Sequence, residues 1–493
     1  METAKQLDTT IKEDNRSHSV IYDFVIIVTI VVFAMCYWVK ATWLLNFSLM
    51  ATYFLCLAVQ YKEKRYGVFF FYLTFFLFLL DTVFFGLFDE SVKYKFQNEK
   101  IEYHVLLCLE VAIIGVFLGA AINKKIRLGL RKRSSLYSSD EYEGNKAFPT
   151  GASYKMQSFL RIAFLFCVIF SVIEAVTKAI FVQANSYVAY YSDFSTPLPY
   201  FMKWLSSISP ILFYLYLGSL PRKKHAMIPI AMYLLIGIIA LFYGQRNVFV
   251  VRVLVILCYF FLRNMQEDGE IWLSKRGLRL IIVMIPVGIL FMAVWDSVRF
   301  DREYTSNDIF RNIINELLTQ GNDISILDFE YRYRELLPDK PFAIGGIITL
   351  LHNNIVGRII GLSQIPAQQN TAEIALNGYS FSAALMYVEN TAGFLMGYGI
   401  GSCYVAELFN SFGFVGIFLG SLLYGIMLKK LGQFKFRGFI ANGIALSIFQ
   451  YLLLAPRAQF DYFISGTFQI ANLFILFICW FLSTRVWPVK DNE

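Results

Sequence analysis

The sequence predicts an all-α polytopic membrane protein of about twelve transmembrane helices with one large loop late in the chain, and three observations carry that reading. Of 493 residues, 57% are apolar, 17% aromatic and only 16% charged, against roughly 25% charged in ordinary soluble domains. The apolar residues are gathered into runs long enough to cross about 30 Å of hydrocarbon as helices. Lysines and arginines collect between alternate runs, which is how cytoplasmic loops are marked. A soluble enzyme, a disordered chain and a disulfide-built scaffold are excluded. So is an outer-membrane barrel, whose strands alternate apolar and polar residues over about 10 positions.

Taken in order, residues 1–19 are polar and of mixed charge. They lack the basic start, short apolar core and cleavage site of a signal peptide, so the first span is expected to stay in the chain. Spans are expected at 20–39, 41–60, 67–88, 103–122, 159–182, 199–220, 227–243, 247–263, 279–296, 403–428, 438–455 and 461–482. This divides the chain into an N-terminal tail (1–19), spans one to nine (20–296), a large loop (297–402), spans ten to twelve (403–482) and a C-terminal tail (483–493). With the N-terminus inside, the inner segments hold Lys62 to Arg65, the cluster from Lys124 to Lys155, Arg222 to Lys224, Arg263 to Arg279 and Lys429 to Arg437. The short outer loops carry little beyond Lys40, Lys93, Lys95, Lys100, Arg246 and Arg457. Both termini are therefore expected in the cytoplasm. The net charge of +8 reads as inner-face cations meeting anionic lipid, not as a nucleic-acid footprint. None of the seven cysteines sits in a CxxC pair, and no disulfide framework is readable.

Segment 297–402 lies on the outer side. Asp308 to Leu318 reads as one short helix, and Phe342 to Leu362 as another with Ile344, Ile348, Leu351, Ile355, Ile359 and Leu362 on one face. Loops this long are usually functional. The two halves of the chain share no repeat, which disfavours repeat-built transporters.

The charges in unexpected positions are the candidate site. Arg246, in Gly244-Gln245-Arg246-Asn247, and Arg457, in Ala455-Pro456-Arg457-Ala458, each occupy a tight outer turn. Each either anchors a helix end by snorkelling or forks onto phosphate oxygens. Arg252 lies about a turn and a half inside its span, so it must face the bundle interior or a wet cavity. Arg299 and Arg302 follow the ninth span and extend the basic patch. Among carboxylates, Glu407 at the outer start of span ten is either an interfacial partner for an arginine or a general base at membrane depth. Asp296 and Asp461 rank below it. His352 is the sole histidine of the large loop, either a plain surface residue or a base for neutral pH. Histidine, cysteine and carboxylate spacings hold no metal-ligand pattern, so no metal is expected. Gly393 to Gly401 reads as a flexible turn or a backbone approach to phosphate. Gly416-x-x-x-Gly420 reads as helix packing.

The turn Gly-Gln-Arg246-Asn, the stretch Gly397-Tyr-Gly-Ile-Gly-Ser-Cys-Tyr-Val-Ala-Glu407-Leu-Phe-Asn-Ser-Phe-Gly413-Phe-Val-Gly416 and the penultimate turn Pro456-Arg457 together resemble the Wzy family of O-antigen and related polysaccharide polymerases. The resemblance implies a glycosyltransferase with a GT-C-like fold in the bacterial cytoplasmic membrane, its large loop periplasmic. It implies an undecaprenyl-pyrophosphate-linked oligosaccharide as both donor and acceptor. A chain-length regulator and a flippase are its implied protein partners. The leaving group is undecaprenyl pyrophosphate, and no cofactor is expected. In this setting Arg246, Arg457, Arg252 and Arg299 are the expected pyrophosphate ligands, and Glu407 and His352 the expected bases. An O-antigen ligase using the same donor and a lipid-linked oligosaccharide flippase are the alternatives.

Overall fold

The computed structural model describes residues 25–122, 152–185, 189–190, 194–266, 270–299, 314, 317–318, 321–366, 370–432 and 438–488, without the side chains of 285, 290–299 and 356. Every regular element among them is helical, as a lipid environment demands of backbone that must satisfy its own hydrogen bonds.

Each expected span falls on a helix. These are α1 (Val25–Val39), α2 (Thr42–Lys62), α3 (Tyr66–Gly86), α4 (Glu99–Ala121), α5 (Tyr154–Ala184), α6 (Tyr200–Gly218), α7 (Lys223–Phe242), α8 (Arg246–Asn264) and α9 (Lys275–Arg299). After the loop come α16 (Tyr404–Leu431), α17 (Phe439–Leu454), α18 (Tyr462–Ser465) and α19 (Ile470–Phe481). Eight of the expected spans are long and apolar enough to cross a membrane, namely α2 to α5, α7, α8, α16 and α17 extended to Arg457. The last expected span does not run unbroken from Asp461. Asn472 donates its side-chain amide to the carbonyls of Gly466 and Thr467 at 3.4 and 3.0 Å, which stabilises a turn between α18 and α19. Asp461 to Gln469 thereby becomes wall material rather than span. Arg299 closes α9 instead of following it.

The bundle centre is a close crossing of α4 and α16. A Cβ on Gly119 would collide with the Leu422 carbonyl, and one on Gly425 with the Val116 carbonyl. Small residues let the two backbones approach until packing and weak polar contacts hold them together. The pair expected to do this, Gly416 and Gly420, faces Leu408, Phe412 and Phe460 instead. The reason is a kink at Gly413, whose φ of 63° rotates the face of α16 before it reaches α4. All seven cysteines are buried and free.

The described part of the loop is folded. It contains α10 (Ile324–Tyr333), α11 (Gly345–Asn353), α12 (Ile355–Ile359), α13 (Ala372–Asn377), α14 (Phe381–Glu389) and α15 (Thr391–Leu395). Helix α10 packs on α4, α14 and α16, and α11 packs on α18. The helix expected over Phe342 to Leu362 is broken at Asn354, which leaves helical geometry and accepts the Gly357 N–H at 2.7 Å to cap α12. Its apolar face looks outward: Leu351, Ile355 and Ile359 are 55%, 64% and 78% exposed. A lipid interface, not the protein core, suits such a face. The helix expected over Asp308 to Leu318 lies largely outside the described residues.

Candidate functional site

The face that carries the loop holds the unusual charges, and the turn after α17 organises them. Glu407, in the first turn of α16, is fully buried. The Ser402 hydroxyl donates to its Oε1 at 2.5 Å, and the Phe460 N–H donates to its Oε2 at 2.8 Å. The Tyr424 hydroxyl donates to the Phe460 carbonyl at 2.5 Å, and its ring stacks on the Phe460 ring with centroids 5.1 Å apart. Both polar groups of one peptide segment are thus gripped by α16. This clamp fixes the directions of Arg457 and Asp461 on either side.

Arg457 turns toward the loop. Its Nη1 is 3.6 Å from Asp323 Oδ2, and its guanidinium carbon is 5.7 Å from the centre of the Phe78 ring. Burial pushes the Asp323 carboxyl up to about 7, against the pull of Arg457. Asp81 is buried beside it, at the end of a π-helical turn over Phe76–Leu80, and rests on Gly321 where no side chain would fit. π-Helical turns concentrate at functional sites. Sequence reading passed over both Asp81 and Asp323. Asp81 carried a usable signal, since an ionisable residue in the middle of an expected span is a functional candidate by default. Asp323 carried none, because its burial depends on how the loop folds back.

Asp461 faces the other way. Its Oδ2 accepts the Ile347 N–H at 2.6 Å, and its Oδ1 has no hydrogen-bond partner among the described residues. A Cβ on Gly346 would stand 2.5 Å from that oxygen, so only glycine lets the carboxyl reach α11. Burial pushes Asp461 up to about 6, while the Ile347 and Gly346 amides pull it down.

Gly346 and Ser465, both in contact with Asp461, line a cavity of about 990 Å3 between α11, α14 and the segment 459–470. Other polar side chains on its wall include Thr349, Tyr379, Gln459, Tyr462 and Gln469. The glycine stretch forms one edge. Gly397, with φ of 97°, ends α15, and Gly399 and Ile400 line the cavity before Gly401 passes Arg457.

The remaining expected residues are spread around this face. His352 lies on α11 beside the cavity-lining Asn353, its Nδ1 2.9 Å from the Ser363 carbonyl oxygen. Arg246 opens α8 just after Gly244, whose φ of 82° makes the tight turn. Arg252 faces the bundle interior, as expected: it donates to the Tyr233 carbonyl at 2.7 Å and lies 4.3 Å above the Tyr233 ring. It is also within electrostatic reach of Tyr451, whose ring stands 4.5 Å from cavity-lining Tyr462. Helix α8 packs on α17. With Arg252 near the start of one and Tyr451 near the end of the other, α8 begins and α17 ends on the same face. The Arg299 side chain lies outside the described residues. Among the described residues, no group of three His, Cys, Asp or Glu side chains could hold a metal ion.

A helical membrane bundle, a folded loop over one face and a cavity with buried charge behind its wall define a membrane-embedded protein with its unusual charges gathered on one side. A family model for O-antigen polysaccharide polymerase Wzy matches residues 20–487, and the chain belongs to that family. Its members are glycosyltransferase-type polymerases of lipopolysaccharide biosynthesis that act on lipid-linked repeat units in the membrane. Comparison with curated proteins and with solved structures gives no match.

Proposed function

We propose that this protein lengthens a polysaccharide by moving the growing glycan from undecaprenyl pyrophosphate onto a fresh lipid-linked repeat unit. The bundle is a twelve-span, GT-C-like arrangement in the bacterial inner membrane. Both termini are cytoplasmic, and the loop over 297–402 is periplasmic. A hydroxyl of the acceptor sugar attacks the anomeric carbon of the donor. The bond from that carbon to the pyrophosphate oxygen breaks, and the electron pair leaves with undecaprenyl pyrophosphate.

The observation that carries this reading is the set of charges just behind one side of the cavity, Asp461 behind Gly346 and the Arg457–Asp323 pair beside Gly401, next to cavity-lining Ile400. Arg457 receives the developing charge of the pyrophosphate, where a fixed guanidinium in a low dielectric is worth most. Arg246, on the same face of the neighbouring helix, completes the grip, with Arg299 behind it, while Arg252 holds α8 against α7 through Tyr233. Asp461 is the base of this reading: its Oδ1, buried behind cavity-lining Gly346, has no hydrogen-bond partner among the described residues. Glu407, with both oxygens engaged, fixes the turn instead. His352 is the reserve base. The loop helices close over the glycan and exclude water.

Lipopolysaccharide from a deletion strain, run on one gel, tests the reaction. Polymerase loss leaves core capped by a single repeat unit, whereas ligase or flippase loss leaves bare core. Bare core would sink the reading. Impermeant labelling of introduced cysteines tests the topology: position 325 should label from outside and position 140 should not.

A further inference from the structure

We infer that the cavity is a subsite for uncharged sugar residues, such as hexoses, deoxyhexoses or N-acetylhexosamines, and that it rejects sugars bearing a carboxylate or phosphate. The inference rests on the polymerase reading and names its substrate class.

The wall contains no Asp, Glu, Lys, Arg or His among the described residues. Its polar groups are amides and hydroxyls, which supply both donors and acceptors and so match rows of sugar hydroxyls. Some of them hold the wall together. Asn353 exchanges two hydrogen bonds of 2.8 Å with Ile365, and Asn370 donates to the Tyr398 carbonyl at 3.0 Å. Others face the space. Thr349, Tyr379, Gln459, Tyr462 and Gln469 make no side-chain hydrogen bond among the described residues. Phe394, Leu350 and Ile400 supply apolar surface for the C–H faces of sugar rings. The volume of about 990 Å3 is at the upper end of the roughly 300–1,000 Å3 usual for small-ligand sites.

The charges just behind the wall strengthen the selection. Asp461 lies under Gly346, and Asp323 lies beside Gly401. Lys340 sits 5.1 Å above the ring of wall residue Tyr379 but donates to the carbonyls of Leu376 and Gly378 at 2.7 and 3.0 Å. An anionic sugar would give up its hydration without gaining a counter-charge, and would meet carboxylates behind the surface. The pyrophosphate therefore stays at the cavity's edge, with Arg457.

The test uses the protein's own substrate. Repeat units that accumulate on lipid in the deletion strain are released by mild acid. They are titrated by calorimetry into purified full-length protein at neutral pH. The same oligosaccharide with its primary hydroxyls oxidised to carboxylates is titrated in parallel. The parent should bind at least tenfold more tightly than the oxidised form. Gln459→Leu should weaken the parent at least fivefold. Gln469→Lys, which supplies a cation, should narrow the gap by favouring the oxidised form, and it separates lost recognition from lost folding. Equal binding of the two forms, or no binding of either, overturns the inference. Failure of the polymerase reading is seen separately, as bare core on the gel of the deletion strain's lipopolysaccharide.

Discussion

Arg457 and Arg252 are the same side chain in two surroundings, at neighbouring helices on one face of the molecule. Arg252 is inside the bundle, joined to a backbone carbonyl and an aromatic ring on α7. Neither partner can leave, so this arginine joins α8 to α7. Arg457 has a carboxylate partner at 3.6 Å, too long for a good hydrogen bond, and lies beside Gly401, which follows cavity-lining Ile400. A carboxylate is what a phosphate oxygen can replace. In the proposed reaction the difference separates an arginine that builds the bundle from one that meets the pyrophosphate, and the sequence context of each does not reveal it.

The largest effect is expected at Arg457. Arg457→Lys keeps the charge and loses the fork. It should cost about 2–4 kcal/mol of transition-state stabilisation, roughly a hundred- to thousandfold in rate, by analogy with removal of one oxyanion donor. Chain-length ladders on gels would collapse toward single repeats while membrane levels of the protein stay normal. Arg252→Met should do the reverse. Losing a charge-assisted hydrogen bond and a desolvated cation–π contact should destabilise by about 2–4 kcal/mol, read as earlier thermal unfolding in detergent. Activity per folded molecule should change only a few-fold. If both variants lose activity at full stability, the contrast between the two arginines fails.

A pH profile sharpens the role of Asp461. Burial holds its carboxyl at about 6, above the ordinary value near 3.9. A base works ionised, so activity should fall as pH drops through 6, approaching tenfold per unit. Stability moves oppositely. The folded state binds this proton more tightly than the unfolded one, so ionisation above pH 6 is unfavourable for folding. Asp461→Asn should therefore lower activity, remove the inflection near 6 and leave thermal stability at pH 8 unchanged or higher. An inflection near 7 that persists in this variant would belong to Asp323, opposite Arg457, or to Glu330 on α10, both held near 7 by burial. An unaltered profile would remove Asp461 from the chemistry. Next in size comes Gly346→Ala. Its Cβ would press on Asp461 Oδ1 at 2.5 Å and Ser465 Oγ at 2.9 Å, an overpacking effect of about 1–3 kcal/mol.

Much of the fold was legible because helices in lipid are written as long apolar runs, and each expected span overlaps helical structure, the last of them two helices with a turn between. The errors are local and have local causes. Asn354 and Asn472 hydrogen-bond to backbone and end helices that hydropathy alone would continue. Gly413 turns the face of α16, so the small residues that meet α4 are not the ones in the visible motif. The site was half legible. Arg457, Glu407 and Arg252 stood out as charges in apolar surroundings. Asp323 and the cavity wall did not, since they arise only when residues about 100 apart fold over one another.

The smallest effect is expected at Glu407, where the question is whether a buried carboxylate fixes a turn or moves a proton. Both its oxygens accept hydrogen bonds, from the Ser402 hydroxyl and the Phe460 N–H. Glu407→Gln keeps an oxygen for the Phe460 N–H, and its amide can donate to the Ser402 hydroxyl, which reverses its own bond. The turn should hold, and polymerisation should drop no more than a few-fold. Glu407→Ala strands the Phe460 N–H in a buried site at about 1–3 kcal/mol and loosens the segment between Arg457 and Asp461. It should lose both stability and activity. A general base gives a different pattern, because glutamine cannot accept the proton and both variants would be equally inactive. Rates for the two, normalised to folded protein, decide the matter. Equal inactivity would make Glu407 the base and Asp461 its neighbour.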